Sequence, residues 1–188
     1  MVIFMILDVT ELLEIELKEE VIVFQTDTVY GIGCLLSSDK GIAKIYDIKN
    51  RESKKPLAVL CANVAQVQTL IEGYDVGKEY ADRYWPGALT LIFKKKKVVK
   101  DSVTSGFDTV GVRIPNDPIA LQILEKFGPM AVTSLNISSE PAILKYKDAL
   151  DFESVVDYVV KGKDLSSLSS TVYDCVNEKI LRKGDISL

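Results

Sequence analysis

Val21-Ile22-Val23-Phe24-Gln25-Thr26-Asp27-Thr28-Val29-Tyr30-Gly31-Ile32-Gly33 is the stretch whose reading decides the fold. Its first four residues form a continuous apolar run, the signature of a strand buried on both faces. The run leads into a polar turn, Gln25 to Tyr30, closed by Gly31 and Gly33. A buried strand that ends in hydroxyls is the ligand-facing end of an open α/β sheet.

The same alternation extends in both directions. Toward the N-terminus, MVIFMILDVTELLE reads as a first strand followed by a helix that Asp8 or Thr10 caps and that runs through Leu17. Residues 39–49 carry Ile42, Ile45, Tyr46 and Ile48 at helical spacing. Pro56 interrupts, and Leu57–Leu60 reads as another buried strand. Asn63 caps a helix with Val64, Val67, Leu70 and Ile71 on one face. Val76, Tyr80 and Tyr84 mark the next helix, stopped by Trp85-Pro86-Gly87. Leu89–Phe93 and Thr109–Ile114 are strands. Asp117-Pro118 starts a helix and Gly128 stops it. Met130–Thr133 is a strand feeding Ser134-Leu135-Asn136, residues 148–160 fit helix and strand equally, and Asn177-Glu178 turns a terminal hairpin. With no repeat and no linker, residues 1–188 are expected to form a single α/β domain around a twisted, open, mixed sheet flanked by helices.

Composition narrows the chemistry. Hydrophobic residues make up 47% of the 188 and the net charge is only −4, which excludes a disordered chain. There is no histidine, so Ser-His-Asp and Cys-His relays are excluded and most zinc chemistry with them. Catalysis is left to carboxylates, Lys and Arg, hydroxyls and backbone groups, a set suited to positioning anionic substrates. Cys34, Cys61 and Cys175 are odd in number and far apart, the pattern of buried reduced thiols. The apolar N-terminus is too short to span a membrane and lacks a leader's basic start, so a cytoplasmic protein with no membrane partner is expected.

Charge is unevenly spread. From Lys40 to Lys55 the window holds Lys40, Lys44, Lys49, Arg51, Lys54 and Lys55 against Asp47 and Glu52, a net +4 in an acidic chain. Lys94 to Lys97 reads as a solvated face. Thr26/Thr28, Lys49/Arg51 and Ser134/Asn136 are each two residues apart, so in extended backbone each pair points to one wall of a cleft. The extended form of Lys49/Arg51, which follows a helix, is assumed. Lysine offers phosphate a point charge and arginine a fork, which suggests a nucleotide. Neither a Walker A loop nor a dinucleotide fingerprint is present.

Thr26-Asp27-Thr28-Val29-Tyr30-Gly31-Ile32-Gly33, Lys49-Asn50-Arg51, Lys55-Pro56-Leu57, Trp85-Pro86-Gly87-Ala88-Leu89-Thr90-Leu91, Val112-Arg113-Ile114-Pro115, Ser134-Leu135-Asn136, Ser170-Thr171-Val172 and Leu181-Arg182 follow one another in this order. The ordered set resembles the YrdC-like family, over roughly residues 10 to 186. The resemblance implies that family's fold, with a concave basic cavity. It also implies a nucleotidyltransferase that makes threonylcarbamoyl-AMP and pyrophosphate from L-threonine, bicarbonate or carbon dioxide, and ATP. The product would serve threonylcarbamoyladenosine modification of tRNA through partner proteins.

Carried over by position, the resemblance assigns Lys49 and Arg51 to catalysis. Thr28, Arg113, Val132 and Ser170 would hold threonine. Lys49, Arg51, Lys55, Thr109, Ser134, Asn136 and Arg182 would hold ATP, with Mg²⁺ on the triphosphate and no protein-ligated metal. Asp27 is given no role beyond its turn. Some positions depart from the family pattern: Gln25 and Lys183 stand where it usually has Pro, and Ser139 and Ala142 replace a Gly and a Ser. The alternatives are a double-stranded or ribosomal RNA-binding module without turnover, or a YrdC-like paralogue of other activity. Overall acidity and the lack of aromatics among the Lys/Arg clusters weigh against RNA as the main ligand, leaving weak tRNA binding as an accessory.

Overall fold

The computed structural model describes residues 5–188, so the first four residues of the expected N-terminal strand lie outside it. Ten strands form the sheet: β1 (Met5–Leu7), β2 (Ile22–Phe24), β3 (Gly31–Leu35), β4 (Ala58–Leu60), β5 (Leu89–Lys94), β6 (Thr109–Arg113), β7 (Met130–Ser134), β8 (Tyr158–Val160), β9 (Thr171–Asp174) and β10 (Lys179–Arg182). Their order is β1-β8-β2-β3-β7-β4-β6-β5-β9-β10. β1/β8, β2/β8, β4/β6 and β5/β9 are parallel and the remaining pairs antiparallel, which makes the sheet mixed. The helices are α1 (Val9–Leu13), α2 (Asp39–Ile48), α3 (Val64–Leu70), α4 (Lys78–Tyr84), α5 (Asp101–Thr104), α6 (Pro118–Phe127) and α7 (Tyr146–Ala149).

Period-two alternation divides the apolar residues between two cores, one on each face of the sheet. On one face Val23, Val59 and Ala131 pack with Ile42 and Ile45 of α2 and with Val67 and Leu70 of α3. On the other, Ile22, Phe24, Leu60 and Met130 pack with Leu12 of α1 and with Ile123 and Leu124 of α6. On this second face, α1 and α6 cover only part of the sheet, and the uncovered part is the wall of a cavity.

Helix boundaries follow their caps. Ser38 Oγ accepts from Gly41 N (2.9 Å), and Asn63 Oδ1 accepts from Gln66 N (2.9 Å). Asp117 caps α6 through Ile119 N and Ala120 N, and Gly128 ends it at a φ of +81°. β9 and β10 form the expected hairpin.

Three local expectations are corrected, one open segment is resolved, and one helix is added. α1 stops at Leu13 rather than Leu17, because the chain beyond Glu14 brings Leu17 to the core from a loop. Gly31 and Gly33 do not close a turn; they lie inside β3. Val76 belongs to a short 3₁₀ turn, Tyr74–Gly77, and is exposed rather than on the apolar face of α4. The ambiguous 148–160 segment is divided, with helical turns up to Phe152 and then β8. α5 has no counterpart in the periodicity.

Residues 161–170 connect β8, second in the sheet, to β9, second from the other end. This strap crosses the intervening strands. It is tied by Lys163 N to Gln25 Oε1 (3.0 Å), by Leu165 N to Leu144 O (2.7 Å) and by Tyr30 Oη to Lys163 O (2.9 Å).

Candidate active site

The cavity on the half-covered face encloses about 260 Å³. Small residues make its floor. Ala58 of β4 sits in register with Gly111 of β6 on one side and Val132 of β7 on the other. A Cβ on Gly111 would stand 3.2 Å from Thr90 Cγ2, and one on Gly31 would stand 3.0 Å from Val132 Cγ1. Further along β4 and β7, Leu60 and Met130 pack with α6, whereas Ala58, Gly111 and Gly31 carry almost nothing, and the space remains open.

Three arginines reach this space from three directions: Arg51 after α2, Arg113 at the end of β6 and Arg182 at the end of β10. No Asp or Glu is among the described lining residues.

Arg51 owes its place to the way α2 ends. Lys49 is helical, Asn50 takes the left-handed region at φ 47°, and Arg51 N bonds back to Tyr46 O (2.9 Å), a Schellman-type stop with Asn in glycine's role. Arg51 then donates from Nε to Lys55 O (3.0 Å) and from Nη2 to Pro56 O (2.9 Å). The assumed extended Lys49/Arg51 pair does not exist, since the left-handed Asn50 sends the two side chains apart.

Lys49 is 1% exposed and lies outside the cavity lining. Its ammonium donates to Ser134 O, to Asn136 O (2.9 Å) and to Asn136 Oδ1 (2.8 Å). Burial, with the charge of Arg51 adding to it, lowers its pKa to about 8. Ser134 does line the cavity and donates to Asn136 Oδ1 (2.7 Å). Asn136 stands behind it, its Nδ2 shared between Ile137 O and Glu140 O at 2.8 Å each.

Thr26 and Thr28 both face the cavity with their hydroxyls 3.0 Å apart. Thr26 Oγ1 also receives Thr28 N (3.1 Å) and donates to Val29 O (2.7 Å), a hydroxyl-closed turn. Arg113 donates from Nε to Gly87 O (2.9 Å) and from Nη1 to Thr28 Oγ1 (2.9 Å), and through Nη2 it pairs with Asp27. Arg182 donates from Nε to Ser170 O (2.9 Å) and from Nη2 to Ser170 Oγ (3.0 Å). Val132 and Ser170 line the space as well.

Lys55 and Thr109 do not line it. Lys55 pairs with Glu52 (3.2 Å), and Thr109 opens β6 beside Lys94.

Burial lowers the pKa of all three arginines. The charge of Arg51 lowers that of Arg182 further, while at Arg113 the opposing charge of Asp27 works against burial and the charge of Arg182 adds to it. Guanidiniums close enough to repel one another across a cavity favour an anion between them. Nη1 of Arg51 and of Arg182 meets no acceptor among the described residues, which leaves two forks for a ligand.

Sequence reasoning missed Asp27, Thr90 and the small floor. Asp27 lies between Thr26 and Thr28, the pair expected on one wall of a cleft, and Thr90 is the polar interruption of an apolar strand. The floor left no local signal. The three thiols are buried, and burial raises each to about 12. Among the described residues no helix is long and apolar enough to cross a membrane.

Comparison with known proteins gives a consistent picture. The Sua5/YciO/YrdC family profile, described as telomere recombination, matches residues 14–184. The threonylcarbamoyl-AMP synthase of Bacillus subtilis (strain 168) is 35% identical over 177 residues, covering 90% of this chain and 51% of the relative. A putative threonylcarbamoyl-AMP synthase of Methanocaldococcus jannaschii is 34% identical, covering 92% of this chain and 83% of the relative. The crystal structure of Pyrococcus abyssi Sua5 complexed with L-threonine superposes with a TM-score of 0.87 at 30% identity, over 94% of this chain and 54% of that one. The chain thus spans about half the length of the Bacillus and Pyrococcus proteins.

Proposed function

We propose, from the premise that this chain belongs to the Sua5/YciO/YrdC family, that it forms threonylcarbamoyl-AMP from L-threonine, bicarbonate or carbon dioxide, and ATP. The observation that carries this reading is the convergence of Arg51, Arg113 and Arg182 on one cavity whose described lining has hydroxyls and no carboxylate.

The chemistry suits such a site. The amine of threonine adds to carbon dioxide and loses a proton, giving a carbamate. A carbamate oxygen attacks the α-phosphorus of ATP, and pyrophosphate leaves with the electron pair of the broken P–O bond. The protein's part is to hold two anions together and neutralise charge on the phosphates, which guanidiniums and hydroxyls do without imidazole.

In this reading Arg51 and Arg182, with their free Nη1 forks, take the phosphates. Thr28, Arg113, Val132 and Ser170 take the amino acid. Ser134 is a direct nucleotide contact. Lys49 and Asn136 act from behind it, with Lys55 and Thr109 at the margin of the nucleotide. The described lining, free of carboxylates, offers Mg²⁺ no strong protein ligands, so the ion would come with the triphosphate and share its charge. Delivery of the product to tRNA-modifying proteins, accessory RNA contact, a single domain and a cytoplasmic setting belong to the same reading.

The test is pyrophosphate release by the purified protein. Release that requires ATP, threonine and bicarbonate together is expected. Equal release with threonine omitted would overturn the reading, and salt-sensitive tRNA binding without turnover would favour an RNA-binding module.

A further inference from the structure

Arg113 and Asp27 form the most buried ion pair among the described residues, with side-chain exposures of 6% and 15%. Asp27 does not line the cavity; it sits behind Arg113, whose Nη1 meets Thr28 Oγ1 at 2.9 Å and whose Nε is held by Gly87 O. Among the described residues, Arg51 and Arg182 have no such counter-ion. Arg182 bonds to the neutral Ser170, and Arg51 to the backbone carbonyls of Lys55 and Pro56, with the neutral Tyr46 side chain beside it. The cavity is therefore electrically divided. Two of its guanidiniums are uncompensated by any carboxylate among the described residues, and the third is already balanced by one.

We propose that Asp27 is a specificity-determining positioning residue: by neutralising Arg113 it makes that part of the cavity select a zwitterion and reject a second polyanion. The inference rests on the function proposed above, and it adds how the amino acid and the triphosphate are sorted within one basic space. An α-amino acid is neutral overall, with a carboxylate for the guanidinium fork and an ammonium that a bare arginine would repel. A phosphate group is a net anion and gains most where the cationic charge is uncompensated. Without Asp27 all three arginines would attract phosphate, and pyrophosphate could occupy the amino-acid site. The same carboxylate fixes the plane of the guanidinium, so that Nη1 addresses Thr28.

The chemistry predicts shifts of opposite sign, which a purely structural role would not produce. In Asp27→Asn the oxygen that meets Arg113 is kept and the charge is lost. Threonine binding, read by calorimetry, is expected to weaken by tenfold or more. Inhibition by pyrophosphate against threonine is expected to tighten by threefold or more. Equal weakening of both ligands, or threonine affinity within twofold of wild type, would overturn the proposal.

A second measurement needs no variant. Raising sodium chloride from 50 to 500 mM should shift the threonine dissociation constant of the wild-type chain by less than about twofold and that of ATP by about fivefold or more. A threonine affinity that falls as steeply as that of ATP would show an uncompensated cation at Arg113 and overturn the proposal. A wild-type chain that binds ATP but no threonine overturns the underlying reading, and the sorting role with it.

Discussion

Arg182 holds both the carbonyl oxygen and the hydroxyl of Ser170, at 2.9 and 3.0 Å, so the guanidinium on the last strand is only as well placed as the end of the strap that carries Ser170. The hydroxyl is itself 2.8 Å from Thr90 Oγ1, which links β10, the strap and β5 into one chain of bonds at the wall of the cavity.

That chain predicts a graded pair of effects. Arg182→Ala removes a phosphate fork and should lower kcat/KM for ATP by about 10²–10³, like the loss of an oxyanion donor. Ser170→Ala keeps the carbonyl acceptor and loses only the hydroxyl, so a milder, severalfold rise in KM is expected. Steady-state kinetics on the two variants checks the order, and a larger effect for Ser170→Ala would refute it.

The floor predicts a steric block. In Gly111→Val, the added Cβ stands 3.2 Å from Thr90 Cγ2, and the two methyls beyond it enter the cavity. Activity should fall at least tenfold with thermal stability little changed. Gly77→Ala gives the converse: its Cβ would lie 2.6 Å from Phe93 Cε1, away from the cavity. Overpacking of about 1–3 kcal/mol is expected there, with the kinetics of the folded fraction intact.

Asp117 joins two elements. Its Oδ1 caps α6 through two backbone amides, and its Oδ2 takes Gln25 Nε2 at 2.6 Å where β2 ends. Asp117→Ala should cost about 1–3 kcal/mol of stability in urea unfolding, from the lost cap and a buried amide left without its acceptor.

Lys49 predicts a pH signature. Its pKa is lowered from 10.5 to about 8 in the folded chain. Between those values the unfolded chain carries one more proton than the folded one, so stability from this group rises with pH across that window. Below about pH 8 the full cost of the buried ammonium is present. The raised tyrosines and cysteines act in the opposite sense at high pH, so the comparison must be made against Lys49→Met. The stability difference, wild type minus variant, should grow from pH 8 to 10.5. A flat difference would contradict the assignment.

Much of the architecture was legible because its signals are local. The apolar runs at Ile22–Phe24 and Ala58–Leu60, the caps Asn63 and Asp117, and the stop at Gly128 each state a boundary within a few residues. The site was legible at Thr28, whose spacing from Thr26 marks the turn after β2 as a cavity wall, whereas Arg113 at the end of β6 was legible only through the family resemblance. It was not legible where a single backbone angle redirects the chain: Asn50 in the left-handed region turns Lys49 inward and Arg51 toward the cavity. The floor was hidden for a different reason. Gly111 and Ala58 look like ordinary strand residues, and only their register across β4 and β6 leaves the gap. Asp27 carries only a turn signal locally, because its partner lies 86 residues away.

The most direct measurement follows the carbon. The protein is incubated with ¹³C-bicarbonate, ATP and L-threonine, and the nucleotide products are read by mass spectrometry. The account predicts an adenylate carrying one threonine and one ¹³C carbonyl, formed by the wild-type chain and lost in Arg51→Ala. Unlabelled AMP or ADP as the only product, in a chain that is folded and binds ATP, would contradict it.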